Sequence, residues 1–326
     1  MESFQGLNPL LRHHAGTTVY RFLGGSGASA EDASVLAYNL ILKELFSGSI
    51  EAIGVKEGNE IAGVLLWQKL AWDSQILGIG CARVLLVSGR TCSDLLTFWK
   101  ERAAAEGIKY VTTRVPDTSI GHHKIPSEDV PHALQNECFE EMQDLLAAAG
   151  FEHFERMLYL GRSTEAPSPA RELSQACRED IRTIQGIAAS SYRYDRFHRE
   201  PFFSREAADR VHSEWARASF SGRADEVLLV RDDEKRIAGY CTCILPEPKN
   251  GRPGWIDMLA VSNEARRQGL GESLVLGALG YLRGFGYTEA ALSTQDGNEP
   301  ALKLYHKLGF EVFGAADTYR LVLSAQ

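Results

Sequence analysis

The residue types that could do chemistry in this chain are concentrated between Asp257 and Ser273. There an apolar strand runs through the turn Arg266, Arg267, Gln268, Gly269, Leu270, Gly271 into a helix. The turn fits Arg-x-x-Gly-x-Gly. Backbone N–H groups at a helix N-terminus have no partner within the helix and carry the positive end of its dipole, so a diphosphate can satisfy several at once. Gly269 and Gly271 let the phosphates come close, and Arg266 and Arg267 add charge-assisted hydrogen bonds. The apolar run through Leu259, Ala260 and Val261 supplies a strand along which a long ligand can lie. A Gly-rich turn with solvated arginines accounts for the same segment taken alone.

Further candidates follow. Asn298 is placed to N-cap a helix that has Pro300 in its first turn. On that helix Ala301, Leu304 and Leu308 form the apolar stripe. Tyr305 sits at its edge, where the ring can pack and the hydroxyl can emerge into a cleft. Asp257 is a candidate general base. Strand alternation places it on the face of Leu259 and Val261, and a water relay is the competing route. The segment Ser190 to Phe203 carries Arg193, Arg196, His198 and Phe202. Its arginines can grip a diphosphate and its aromatics can stack on a nucleobase, although an exposed Arg-rich helix connection has the same composition. Trp72, in the first half, is a further candidate for the acceptor wall.

These groups must be held by elements. Ser163 to Ala170, with Pro167 and Pro169 among small polar residues, reads as a linker that divides the chain into residues 1–165 and 171–326. Downstream, the patterns predict a strand over Arg171–Cys177, a helix over Glu179–Tyr192, a hairpin of Glu226–Arg231 and Arg236–Leu245, and the cradle strand. After these come a helix over Gly271–Gly284, a strand over Glu289–Thr294, a helix over Pro300–Leu308 and a last strand over Asp317–Ser324. The first half echoes this order. Glu106 to Arg114, a helix ending Gly150, Phe151, and Met157 to Leu160 parallel Phe285 to Ser293, the helix ending Gly309, Phe310, and Tyr319 to Leu323, so a tandem repeat of one α/β unit is the simplest reading. The chemistry does not repeat: Tyr305 falls on Leu146, Asn298 on Phe139, and the cradle turn on Gly89 to Asp94, which lacks Gly-x-Gly. The first half is therefore read as a degenerate, substrate-shaping partner.

Between Pro116 and Cys138, His122, His123 and His132 stand near Glu128 and Asp129. Pro126 and Pro131 deny the helical spacing on which such ligands converge, so this insertion reads as an exposed loop or lid and no metal is expected. The 326 residues, 44% hydrophobic and 24% charged, suit a globular protein of about two domains. A net charge of -8 argues against a nucleic-acid partner, so a polyanionic ligand must be held by local arginines. The six cysteines show no Cys-x-x-Cys pair, which points to free thiols. No apolar run approaches the length of a membrane span, and the expectation is a cytoplasmic protein, possible as a homodimer.

With the run Val261 to Gly271, Asn298, Tyr305 and Leu308-Gly309-Phe310 in view, residues 171–326 resemble the acetyl-CoA half of a GNAT N-acetyltransferase. A narrower likeness, to the dTDP-fucosamine acetyltransferase group of sugar-nucleotide N-acetyltransferases, rests on Leu70 to Gly78, on Arg196 to His198 and on Thr294 to Asn298. The resemblance implies an α/β fold of two GNAT-like domains, each a mixed twisted sheet flanked by helices, and acetyl-CoA as cosubstrate. It also implies that the backbone of Leu259 and Val261 pairs with pantetheine, that Arg266 to Gly271 holds the pyrophosphate, and that Asn298 bonds the pantetheine arm. Tyr305 would lie beside the thioester sulfur and protonate the leaving thiolate. The expected reaction is N-acetylation of a small-molecule amine, with an amino-sugar nucleotide foremost. A protein or metabolite amine, or a non-catalytic CoA-binding role, stands as the alternative.

Overall fold

The computed structural model describes residues 50–57, 60–117, 142–246 and 253–323. The chain forms two compact units, one of residues 1–156 with 314–326 and the other Met157–Phe313. The division falls at Met157 rather than in the linker read from Ser163 to Ala170. That linker does lack helix and strand, but β5 (Glu152–Ser163) runs unbroken past the unit boundary. The last strand, β11 (Glu311–Val322), leaves the second unit after Phe313.

In the first unit the strand order is β1 (Glu51–Glu57), β2 (Glu60–Lys69), β3 (Gly80–Gly89), β4 (Ile108–Asp117) and β11. Helix α1 (Ala71–Leu77) precedes β3, and α2 (Cys92–Ala105) connects β3 to its parallel neighbour β4. Trp67 and Trp99 are fully buried and meet edge to face at 5.7 Å in the centre of this core. Trp67 is thus a core residue, while Trp72 is half-buried on α1. The turn before α2 is closed on its neighbour: Arg90 N donates to Ala62 O at 2.8 Å and its guanidinium to Glu57 at 3.0 Å. The histidine-bearing insertion falls largely within 118–141, outside the described residues.

The second unit carries the order β5-β10-β9-β8-β7-β6, with β6 (Leu173–Gln175), β7 (Glu226–Arg231), β8 (Ile237–Ile244), β9 (Gly254–Val261) and β10 (Glu289–Gln295). Helices α3 (Ile181–Ser191) and α4 (Arg205–Ala218) cover one face. There Ile184, Ile187, Ala188 and Ala216 pack on Leu229, Tyr240, Met258 and Ala260. Helices α5 (Leu270–Gly284) and α6 (Glu299–Lys307) cover the other. Leu270, Leu274, Ala278 and Leu282 recur at four-residue spacing along α5 and seat on Ile256, Cys241 and Leu292. Each such leucine contributes about 1.5–3 kcal/mol by leaving water.

Most elements of this half match the sequence patterns to within a few residues. Helix α4 does not, because no helix was read there. Its buried stripe is made of Ala207, Ala208, Val211, His212 and Ala216 instead of large aliphatics, so its apolar period is faint. Ser204 caps it, accepting from Ala207 N at 3.2 Å.

Candidate active site

Strands β9 and β10 set up the site by parting. They pair in parallel from Ala290 with Gly254 to Leu292 with Ile256, and both run on past that last pair, β9 to Val261 and β10 to Gln295. The outer neighbours stay paired to the end, β8 with β9 as far as Gly239 with Val261 and β5 with β10 as far as Met157 with Gln295. A wedge therefore opens inside the sheet. Ser262 N donates to Ala238 O at 2.8 Å, which makes that pair hydrogen-bonded. By the alternation of antiparallel ladders, the pairs Gly239–Val261 and Cys241–Leu259 are then non-bonded, so the N–H and C=O of Leu259 and Val261 face the wedge. An extended ligand can add to that edge as a strand would.

The cradle turn stands at the open end of β9. A 3₁₀ turn, Asn263–Ala265, leads into Arg266, and α5 starts after Gly269. Arg267 and Gly269 both take positive φ, 61° and 77°. Gly269 meets no requirement of space, since nothing lies within 4 Å of where its Cβ would be; its need is conformational. At Gly271 a Cβ would lie 3.4 Å from Leu304 Cδ2, an ordinary packing distance between α5 and α6. No side chain caps α5, and the first intrahelical bond runs from Ser273 N to Gly269 O. The amides of Leu270, Gly271 and Glu272 thus have no partner within the helix. Arg266 reaches Ser191 O at 3.1 Å, Gln268 reaches Glu264 O at 3.5 Å, and Arg267 is exposed.

Tyr305 sits on α6 with its ring 5.8 Å from that of Phe310, and it is buried. Its hydroxyl has no hydrogen-bond partner among the described residues. Burial pushes the phenol up to about 12, with the Cys241 thiol a smaller contributor. Asn298 stands at the N-cap position, but its side chain makes no cap bond. Instead Asn298 Nδ2 donates to Thr294 Oγ1 at 2.9 Å, which ties the start of α6 to the end of β10.

Asp257 departs from its expected place. The register of β8 and β9 shifts between Cys241 and Cys243, where Cys241 opposes Leu259 and Cys243 opposes Ile256, so β9 bulges at Asp257 and Met258. Met258 N donates to Thr242 Oγ1 at 2.9 Å within the bulge. The extra residue reverses the alternation: Leu259 and Val261 pack toward α5, whereas Met258 and Ala260 pack toward α3 and α4. Asp257 goes with the latter. Its Oδ2 takes the Arg223 guanidinium, which lies 5.4 Å over the Trp215 ring. Asp257 is therefore on the opposite face from Leu259 and Val261.

The profile of the Acetyltransferase (GNAT) family matches residues 190–310, a span that holds the wedge, the cradle turn, Asn298 and Tyr305. Residues 190–310 thus belong to the GNAT acetyltransferase family. Among curated relatives, the spore coat polysaccharide biosynthesis protein SpsD of Bacillus subtilis is 22% identical over 262 residues, 79% of this chain and 83% of that protein. The dTDP-fucosamine acetyltransferase of Escherichia coli O6:H1 is 28% identical over 138 residues, 42% of this chain and 57% of its own. A mycothiol acetyltransferase of Saccharomonospora viridis is 37% identical over 93 residues, 27% of this chain and 30% of that enzyme. In fold, a tandem GNAT protein from the clavulanic acid biosynthesis pathway aligns over 98% of this chain and 96% of its own, with TM-score 0.55 and 15% identity.

The segment after α3, expected from sequence to form the acceptor wall, is more tightly tied than its composition suggests. Asp195 accepts from Phe197 N at 2.9 Å and starts the one-turn helix Arg196–Arg199. His198 is clamped between two carboxylates, Nδ1 to Asp195 at 2.6 Å and Nε2 to Asp209 at 2.8 Å. Burial opposes its charge, but those two hydrogen bonds override burial and hold the imidazole above its ordinary value. His198 thus ties this segment to α4 through Asp209 while also lining the adjoining cleft. Arg193, Phe197, Arg199, Phe203 and Arg205 line a cleft beside it. Arg193 lies 3.5 Å from Asp209, Arg196 stacks 4.4 Å over Phe197, and Phe202 is exposed. Trp72 belongs to the other compact unit. Sequence reading missed Arg223, Trp215 and His212, because α4 and the turn behind it were not recognised.

Proposed function

We propose that this GNAT acetyltransferase takes acetyl-CoA into the β9/β10 wedge and transfers the acetyl group to the primary amine of a small, anionic, sugar-like acceptor. The observation that carries the proposal is the wedge itself. The edge of Leu259 and Val261 that β10 leaves open, where the Val261 carbonyl accepts from Ser191 Oγ at 3.3 Å, leads directly to the uncapped amides opening α5, so one ligand with an amide-bearing arm and a diphosphate can follow both. The wedge edge and the cradle also agree with the family's use of acetyl-CoA.

In this reading Leu259, Ala260 and Val261 flank the pantetheine, and Arg266, Arg267, Gln268, Gly269, Leu270 and Gly271 surround the diphosphate. Asn298 borders the arm. The acceptor nitrogen attacks the thioester carbonyl, and an N–H of the wedge edge stabilises the oxyanion. Asp257 takes the amine's proton. Tyr305, with a phenol pushed up to about 12, keeps its proton at neutral pH and donates it as a hydrogen bond to the departing sulfur. Holding both reactants in line supplies most of the acceleration.

The acceptor class rests on the names of relatives and on local charge. SpsD and dTDP-fucosamine acetyltransferase point to amino sugars, and the arginine-lined cleft suits an anionic handle. The mycothiol acetyltransferase match favours a second reading, a small metabolite amine. Thiol release from acetyl-CoA decides, measured with an amino-sugar nucleotide, the matching free amino sugar and a small amine that is not a sugar. The proposal expects the nucleotide to give the highest kcat/KM. Binding of CoA without turnover on any amine would leave a cofactor-binding module in its place.

A further inference from the structure

The segment after α3 and helix α4 bring two imidazoles and a carboxylate to one point. An oxygen of Asp195 and a ring nitrogen each of His198 and His212 lie within 4.8 Å of one another. His198 Nδ1 is 2.6 Å from Asp195 Oδ2, and His212 Nε2 is 3.6 Å from the same oxygen. The remaining atoms of the three side chains are engaged elsewhere. Asp195 Oδ1 accepts from the amides of Phe197 at 2.9 Å and His198 at 3.3 Å, so Oδ2 is the oxygen that faces the cluster. His198 Nε2 meets Asp209 Oδ1 at 2.8 Å, and His212 Nδ1 meets Ala208 O at 3.2 Å. A carboxylate and a carbonyl only accept, so each of those nitrogens carries a proton and the other nitrogen of each ring is turned on Asp195. His212 is only 2% exposed, and among the described residues its Nε2 makes no hydrogen bond. A polar atom buried in that way calls for an explanation.

Imidazole nitrogens and a carboxylate oxygen are ordinary ligands of a zinc-class ion. A ligating imidazole characteristically donates its other N–H to a carboxylate or a backbone carbonyl, and here Asp209 and Ala208 O already accept those protons. Bonds of about 2.0–2.2 Å in a tetrahedron set two ligand atoms about 3.4 Å apart, close to the separation of His212 Nε2 and Asp195 Oδ2. The His198 contact is shorter because a proton lies between its two atoms, and it opens as an ion displaces that proton. We propose that Asp195, His198 and His212 bind one divalent ion of the zinc class. His198 also lines the cleft of Arg199 and Phe203, which gives the ion a way in and lets water complete its ligands. Asp195 and Asp209 offset its charge, and Arg193, 3.5 Å from Asp209, is the nearby cation they already balance. Magnesium, which prefers six oxygens, does not suit this set. The bound ion fastens the one-turn helix Arg196–Arg199 to α4. This site stands apart from the acetyl-transfer reading. The expectation of no metal was drawn from the cysteines and the histidine-bearing insertion, whereas these ligands are gathered from two separate helices.

The test takes the full chain, freed of metal by chelation, and titrates it with zinc chloride alone, with magnesium chloride as the control. Calorimetry is expected to show one zinc ion bound per chain and no magnesium. Cobalt(II) is expected to give the strong visible absorption of a four-coordinate ion in place of the faint absorption of the hydrated one. His212→Phe keeps the ring that stacks on Tyr192 at 4.3 Å, and Asp195→Asn keeps an oxygen for the amides of Phe197 and His198. Both are expected to keep the circular dichroism of wild type, to weaken zinc about a hundredfold and to lose the cobalt absorption. Asp209→Asn, which touches no ion, is expected to weaken zinc about tenfold. Failure of wild type to bind zinc, magnesium bound as tightly as zinc, or a cobalt spectrum of the hydrated ion overturns the site. So does zinc affinity unchanged in Asp195→Asn and His212→Phe, which puts the ion on other histidines such as those of the insertion. If both of those variants unfold, unchanged affinity in Asp209→Asn overturns it alone.

Discussion

Tyr305 illustrates how a single side chain is made fit for one job. Burial against Phe310 pushes its phenol up to about 12, so it is a hydrogen-bond donor at every working pH. Replacing it with Phe is expected to lower kcat about a hundredfold and leave the acetyl-CoA dissociation constant unchanged, measured by thiol release and calorimetry. An unchanged kcat removes Tyr305 from the reaction. His198 gives a second residue-scale prediction, in stability. Its folded-state value lies above the ordinary 6.5 or so, so its contribution is complete below about pH 6.5 and is lost as pH rises through the raised value. His212, held below its ordinary value by burial, acts in the opposite sense and below that window. Thermal melts from pH 6.5 to 9 are expected to fall more steeply for wild type than for His198→Gln. Of the residues proposed for the site, Tyr305 and Asn298 were singled out from the motif around Leu308-Gly309-Phe310. Asp257 was legible as a candidate and misplaced in space, because strict alternation assumes an unbroken ladder and the bulge at Asp257 and Met258 inserts one extra residue.

At the scale of elements, the cradle depends on a backbone that L-residues resist. Gly269 at φ 77° enters α5 directly, so Gly269→Ala is expected to cost about 1–2 kcal/mol and to weaken acetyl-CoA binding by more than any change in packing explains. Melting and calorimetry on the same sample check this, and an unaltered affinity separates the turn from the cofactor. The strand-turn-helix of the cradle was plain in the sequence because its apolar run, its glycines and the four-residue spacing of α5 all agree. The segment after α3 and helix α4 were not. Helix α4 buries alanines and His212, and the clamp of His198 joins Asp195 to Asp209 across residues that no local pattern connects.

For the whole molecule, the boundaries of the compact units differ from the composition break at Pro167 and Pro169. Strand β5 supplies Met157 to Ser163 as the partner of β10, and β11 supplies Ala315 to Val322 as the partner of β4 in the first unit. A fragment of residues 171–326 lacks β5 and exposes the β10 edge, so it is expected to aggregate more and to bind acetyl-CoA less well than a fragment of residues 157–313, which keeps that pairing. Size-exclusion chromatography of the two compares them directly, and equal solubility argues against the boundary at Met157. The repeat itself was visible in the sequence as the echoing order of elements. The exchange of terminal strands was not, because strand pairing at long range leaves no periodicity behind.

The central claim is that acetyl-CoA lies along Leu259 to Val261 with its diphosphate on the amides of Leu270 to Glu272. Amide hydrogen exchange of the full chain with and without acetyl-CoA measures this directly. The account predicts protection that spans Leu259 to Glu272 and leaves Gly89 to Asp94 unchanged. Protection confined to Gly89 to Asp94, or none in the cradle at saturating cofactor, contradicts it.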